Sequence, residues 1–263
     1  MAPSISLARR VRQTFVEAMA KLPLRLLLLS LSVLFIPAAG RAESEPAIRT
    51  LILIRHGIYA PQPGVEEKTG NGLTPLGREQ AGLVAERLAR LPLKIDSITS
   101  SELLRAKETG DIIAARLGLP CARDGLLNEC MPVGAGLPSK PDSAAAETQL
   151  GLAWASYTSP AAGTSRHDVL VCHGNVIRWF VCRALGADTK QWTRMEIANC
   201  SITFIQVRPD GSTRVQVFND VSHVPLDKQT WSGKGPGWPL PAQPQTKQRT
   251  MSLPHPIAEA QKG

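Results

Sequence analysis

The chain has 263 residues, 43% hydrophobic and 20% charged, enough for one globular domain with a sizeable core plus tails. Its net charge of +8 is uneven, because six of the basic residues fall within residues 1–42 beside a single acid, Glu17. The remainder is near balance and only 5% of the chain is aromatic, which excludes a basic stripe or a stacking platform for nucleic acid. Five cysteines, Cys121, Cys130, Cys172, Cys182 and Cys200, form neither a CxxC pair nor a disulfide framework. They are expected as buried free thiols, with no metal ligand set and no cofactor.

In chain order, residues 1–21 carry Arg9, Arg10, Arg12 and Lys21, as a transit-type helix or a long signal n-region would. Leu26–Ile36 is apolar apart from serines and runs on to Ala39, short for a full span and closer to a signal h-region. Gly40-Arg41-Ala42 reads as a small-x-small cleavage site; counted whole from Leu22, with Arg25 snorkelling, the stretch reads as an anchor. Residues 1–42 are therefore expected to be a targeting, signal or membrane-anchor segment, and 43–48 a linker. Residues 49–230 read as the folded domain and 231–263 as a disordered Pro-rich tail.

Thr50–Gly57, TLILIRHG, opens the domain. Leu51–Ile54 is a short apolar run of the kind a central parallel strand needs, and it stops at Arg55-His56-Gly57. Ligands in open α/β sheets lie outside the carboxyl ends of the strands, where Arg55 and His56 would stand. After a Pro- and Gly-rich loop, Thr74-Pro75 predicts an N-cap and first turn, and apolar periodicity continues to Leu88. Ile95–Ser100 predicts a second strand, Leu103–Leu117 a helix closed by Gly118, and Cys121–Arg123 a short extended piece.

Leu127–Pro141 is a Pro/Gly loop expected to cross a rim, followed by a helix from Ser143 to Tyr157. Asp168–Cys172 predicts a third buried strand and Asn175–Leu185 a helix. Ser201–Val207 and Ser212–Phe218 flank Pro209-Asp210-Gly211 as a hairpin. The alternation of strands and helices predicts an α/β fold.

The candidate chemistry follows the same order. His56 is a candidate nucleophile, since flanking arginines disfavour the imidazolium and leave a lone pair. Arg55 and Arg105 are candidate phosphate clamps through bidentate guanidinium contacts, Arg105 in the first turn of its helix. Glu129, on the rim loop, is the candidate general acid. His173 repeats the strand–His–Gly–helix arrangement of His56, and Asn175 behind it reads as a helix cap.

Arg55-His56-Gly57, then Ser101-x-x-x-Arg105-Ala106-x-Glu108-Thr109, then Leu127-x-Glu129, then His173-Gly174 resemble, in this order, the histidine phosphatase superfamily, the phosphoglycerate mutase-like fold. The resemblance covers Arg49–Lys228. It implies a three-layer α/β/α sandwich on a mostly parallel sheet and metal-independent hydrolysis of phosphomonoesters through a phosphohistidine intermediate. It also implies phosphate binding by Arg105 and His173, with Glu108 as a structural support. Where mutases continue Arg-His-Gly with Glu-Ser, this chain has Ile58-Tyr59-Ala60-Pro61. Leu73–Gln80 and the close of the domain resemble the family's mitochondrial protein phosphatases. That implies phosphoserine and phosphothreonine protein substrates, a membrane-associated mitochondrial location and an open question of homo-oligomer assembly. The alternatives are a small-molecule phosphatase or mutase-like enzyme, a non-catalytic membrane-tethered scaffold, and, for location, secretion or periplasmic export after signal cleavage.

Overall fold

In the computed structural model, residues 46–66, 71–231 and 234–236 are described. The leader 1–42 and most of the tail after 231 lie outside them. The frame is a six-stranded sheet built from β1 (Arg49–Arg55), β2 (Ser97–Ser100), β3 (Cys121–Arg123), β4 (Arg166–Cys172), β5 (Ile202–Val207) and β6 (Thr213–Asp220). The strand order is β3-β2-β4-β1-β5-β6. β1, β2, β3 and β4 pair parallel, while β5 lies antiparallel to both β1 and β6. β5 and β6 are the expected hairpin, with Gly211 at φ 79° in its turn.

Among the described residues, four α-helices cover the two faces: α1 (Pro75–Ala89), α2 (Leu104–Leu117), α3 (Ser143–Tyr157) and α4 (Gly174–Ala184). Successive side chains of β1 point to opposite faces, and both faces are covered. Ile52 and Ile54 pack with Val84 and Leu88 of α1 and Ile113 of α2. Leu51 and Leu53 pack with Leu150 of α3 and Val176 and Phe180 of α4. Leu51–Ile54 are all fully buried, which is why this run is continuously apolar instead of alternating.

The elements end where local chemistry predicts. Thr74 caps α1, its hydroxyl accepting the Gly77 N–H at 3.1 Å, with Pro75 in the first turn. Gly118 closes α2 at φ 67°. The second strand begins at Ser97 and not at Ile95, while β4 reaches back to Arg166. At the C-terminal end, Thr230–Trp231 (β7) pairs antiparallel with Lys234–Pro236 (β8). Among the described residues, no helix is long and apolar enough to cross a membrane.

Candidate active site

β1 and β4 are adjacent and parallel, with Arg55 in register with Cys172, so the residues that follow them leave the sheet side by side. This brings His56 and His173 to a ring-centroid separation of 4.9 Å. α2 begins beyond the end of the neighbouring strand β2 and delivers Arg105 to the same place, its Nε 3.3 Å from His56 Nε2. Gly57 lets the chain turn here against α1, because a Cβ on it would lie 2.5 Å from the Gly77 carbonyl oxygen.

The hydrogen bonds set the tautomer of each histidine. His56 Nδ1 lies 2.8 Å from the Gly57 carbonyl, which can only accept, so Nδ1 carries the proton and Nε2 the lone pair. Burial first, then the charges of Arg55 and Arg105, holds the imidazole well below its ordinary pKa, so it stays neutral. On the other side, the Ser101 hydroxyl donates to Asn128 Oδ1 at 2.8 Å. It therefore accepts from His173 Nε2–H, also at 2.8 Å. His173 Nδ1 is left bare, buried and without a partner. Burial, then His56, Arg105 and Arg55, keeps this ring neutral as well.

The remaining charges converge on one cavity of about 670 Å³ lined by Arg55, His56, Arg105 and Glu129 together with Tyr59 and Met131. Arg55 spends Nη1 on the Ile197 carbonyl at 2.6 Å, while its buried Nε has no partner. Desolvation lowers its pKa to about 10, still far above neutrality. Arg105 is 2% exposed and lies over the Tyr59 ring, 4.5 Å from its centroid, so it is no solvated helix charge. Glu129 has a buried, unpartnered Oε1, and desolvation, only partly offset by Arg55, Arg105 and Arg178, raises its pKa to about 7. A group with that pKa is well matched to proton transfer near neutrality.

The loop bearing Glu129 is pinned from both helices of its layer. Gln149 of α3 donates to the Leu126 and Asn128 carbonyls, at 3.1 and 2.8 Å. Asn175 of α4 donates Nδ2 to the Cys130 carbonyl at 2.8 Å. Asn175 is thus not the cap of its helix; His173 occupies that position and Asn175 ties the rim loop to the strand end. Arg178 holds Asn175 Oδ1 at 2.6 Å and the Met195 carbonyl at 2.8 Å. Sequence reasoning missed Asn128, Tyr59 and Arg178. Asn128 alone carried a signal, its place beside Glu129.

Glu108 lies away from the cavity floor. It accepts from the Leu73 N–H at 2.6 Å and from Arg78 at 2.8 Å, clasping the start of α1 to α2. All five cysteines are free thiols. Among the described residues, no group of three or more His, Cys, Asp or Glu is placed to hold a metal ion. A cavity lined by two guanidinium groups, one neutral imidazole and one protonatable carboxyl, with a second neutral imidazole buried beside the first, can bind a dianion, attack it with nitrogen and protonate a leaving oxygen.

The histidine phosphatase superfamily (branch 1) matches residues 51–170 and 153–221. The mitochondrial serine/threonine-protein phosphatase Pgam5 of Caenorhabditis elegans is 36% identical over 202 residues, covering 71% of this chain and 68% of that protein. The mitochondrial serine/threonine-protein phosphatase PGAM5 of Homo sapiens is 37% identical over 196 residues, covering 71% and 67%. Among solved structures, phosphoglycerate mutase of Plasmodium falciparum aligns at a TM-score of 0.50 and 28% identity, over 68% of this chain and 96% of that one. Mycobacterial glucosyl-3-phosphoglycerate phosphatase aligns at 0.50 and 25%, over 65% and 99%. The chain belongs to the histidine phosphatase superfamily.

Proposed function

We propose that this protein is a phosphoric monoester hydrolase acting on phosphoserine and phosphothreonine in proteins, through a phosphohistidine on His56. The observation that carries the reading is the meeting of a deprotonated His56 Nε2 with unpartnered, buried polar atoms of Arg55, His173 and Glu129. Buried polar groups without partners are rare in native proteins, and these have the chemistry of a phosphoryl group's surroundings. The relatives named above as serine/threonine-protein phosphatases support the substrate class.

In the first step His56 Nε2 attacks phosphorus and the bond from phosphorus to the seryl or threonyl oxygen breaks. Arg55 and Arg105 balance the charge of the transferring group, and protonated Glu129 gives its proton to the leaving alkoxide. The Gly57 carbonyl, on Nδ1–H, stabilises the imidazolium of phosphohistidine. In the second step Glu129 takes a proton from water as that water attacks phosphorus. The P–N bond breaks and neutral His56 returns. His173 Nδ1 has no proton of its own, so its bond to a phosphate oxygen requires one from the substrate monoanion or from solvent.

Two further parts of the reading concern place and reach. Residues 1–42 act as a membrane-associating leader in mitochondria, the compartment in the relatives' names. Among the described residues, the cavity is lined by no cation beyond Arg55 and Arg105, and its rim offers Met131, Asn128 and Gln149, which suits a phosphorylated side chain on a larger polypeptide. The test is turnover of phosphopeptides beside 3-phosphoglycerate and sugar phosphates, with His56→Ala alongside. Removing the covalent step should lower turnover by about 10³-fold or more in a folded protein. Preference for a metabolite over every phosphopeptide would reverse the substrate class, and an active His56→Ala would remove the nucleophile.

A further inference from the structure

The chain that follows His56 is held by buried side chains as well as by backbone bonds from Cys200 and Thr74. The His56 carbonyl accepts from Asn199 Nδ2 at 2.9 Å. One peptide on, the Ile58 N–H donates to Gln80 Oε1 at 3.0 Å. The two side chains meet through Thr230: Gln80 Nε2 donates to its hydroxyl at 2.9 Å, and the hydroxyl donates to Asn199 Oδ1 at 2.9 Å. Gln80 and Thr230 are fully buried and Asn199 is nearly so.

The direction of every bond in this circuit is forced. Gln80 spends its oxygen on Ile58, so its amide nitrogen faces Thr230 and also the Lys228 carbonyl, at 2.7 Å. Having accepted from Gln80, the hydroxyl has one proton to give, and Asn199 Oδ1 takes it. Asn199 then has only its amide protons to offer His56. The peptide linking Gly57 to Ile58 presents its N–H to this circuit and its carbonyl to His56 Nδ1. That carbonyl is what keeps the proton on Nδ1 and the lone pair on Nε2.

We propose that Thr230 is a positioning residue for the nucleophile: its hydroxyl closes the circuit that aims the Gly57 carbonyl at His56 Nδ1. The proposal rests on the reading of His56 as nucleophile. It extends the machinery of the site past residue 221, where the family match ends, into β7. β7 is itself seated there, since the Thr230 carbonyl accepts the Asn199 N–H at 2.9 Å. Without the hydroxyl, Asn199 Oδ1 and one proton of Gln80 Nε2 lose their buried partner, so the two side chains that fix the peptides on either side of Gly57 are each held less firmly and the aim of the Gly57 carbonyl loosens.

The test uses the full chain. Thr230→Val keeps the shape and removes both hydrogen bonds; Thr230→Ser restores them. Single-turnover formation of acid-labile phosphohistidine from an aryl phosphate is followed for each, with the final amount per folded chain, the KM and the melting temperature. The expected result is a fall in phosphorylation rate on the order of 10–100-fold in Thr230→Val, at full stoichiometry and unchanged KM, with Thr230→Ser close to wild type. A purely structural Thr230 would lower the melting temperature yet leave the rate per folded chain at the wild-type value, and that result overturns the proposal. Should Thr230→Val fail to fold, Gln80→Met opens the same circuit from α1 and is read by the same rate and the same two outcomes. Wild-type rates in these variants beside a silent His56→Ala would overturn this proposal alone. Turnover persisting in His56→Ala would instead remove the reading beneath it.

Discussion

At the scale of single residues, Glu129 shows how burial sets both chemistry and cost. Its pKa near 7 leaves the free carboxyl partly protonated at neutral pH. For phosphoserine, whose alkoxide needs a proton to leave, kcat/KM should fall as pH rises through about 7, and Glu129→Gln should lose on the order of 100-fold. An aryl phosphate should lose far less and lack that alkaline limb; equal losses on both substrates would remove Glu129 from the acid role. The same shift is a stability statement. A carboxyl raised from about 4.5 unfolded to about 7 folded contributes stability fully below the lower value and loses it as pH rises through the higher one. Glu129→Gln should therefore be more stable than wild type at pH 8, by up to about 3 kcal/mol, with the gap closing toward pH 4.5. Urea unfolding at the two ends of that range reads it, and an equal gain at both would show that the carboxylate charge is not the cause.

At the scale of elements, the site is the meeting of three strand ends with the helices that leave them. α4 does more than follow His173. Its first turn reaches across to the rim loop through Asn175, backed by Arg178, whose guanidinium rests 4.7 Å from the centroid of the Trp192 ring. Asn175→Ala would leave the Cys130 carbonyl unbonded next to Glu129, at a cost of roughly 1–3 kcal/mol. The expected kinetic signature is a weaker copy of Glu129→Gln: a loss on phosphoserine that exceeds the loss on aryl phosphates. A uniform loss across leaving groups would show that Asn175 supports phosphate binding and not the proton donor. On the far side, Glu108 ties α2 to the start of α1, which keeps Gly77 against Gly57.

At the scale of the whole molecule, every group invoked in the site lies between Arg55 and Thr230. The folded unit that holds the site begins at Pro46. A chain that begins at Glu43 should therefore keep the kcat of the full chain on a soluble phosphopeptide. It should also stay in the supernatant when the full chain sediments with membranes, since Leu22–Ala39 carries the apolar stretch. A lower kcat for the short chain would make the leader part of the catalytic apparatus, and equal sedimentation would place membrane contact on the folded unit.

Much of the architecture was legible from one dimension because its causes are local. The apolar run Leu51–Ile54, the Thr74-Pro75 start and the Gly118 and Gly211 turns each follow from burial or backbone freedom at one position. The candidates Arg55, His56, Arg105, Glu129 and His173 were legible for a related reason: each stands beside a strand end or on a short motif with recognisable spacing. What one dimension could not supply is pairing between distant residues. Asn175 read as a cap because Asn is common there, and only packing of α4 beside the rim loop gives its amide the Cys130 carbonyl, 45 positions away. Asn128 governs the His173 tautomer through Ser101, 27 positions away, and Thr230 reaches Gln80 across 150 positions. Local propensity and apolar pattern determine where elements begin and which face they bury. A buried polar group must find whatever partner the fold brings within about 3 Å, and the tertiary structure alone decides which one that is.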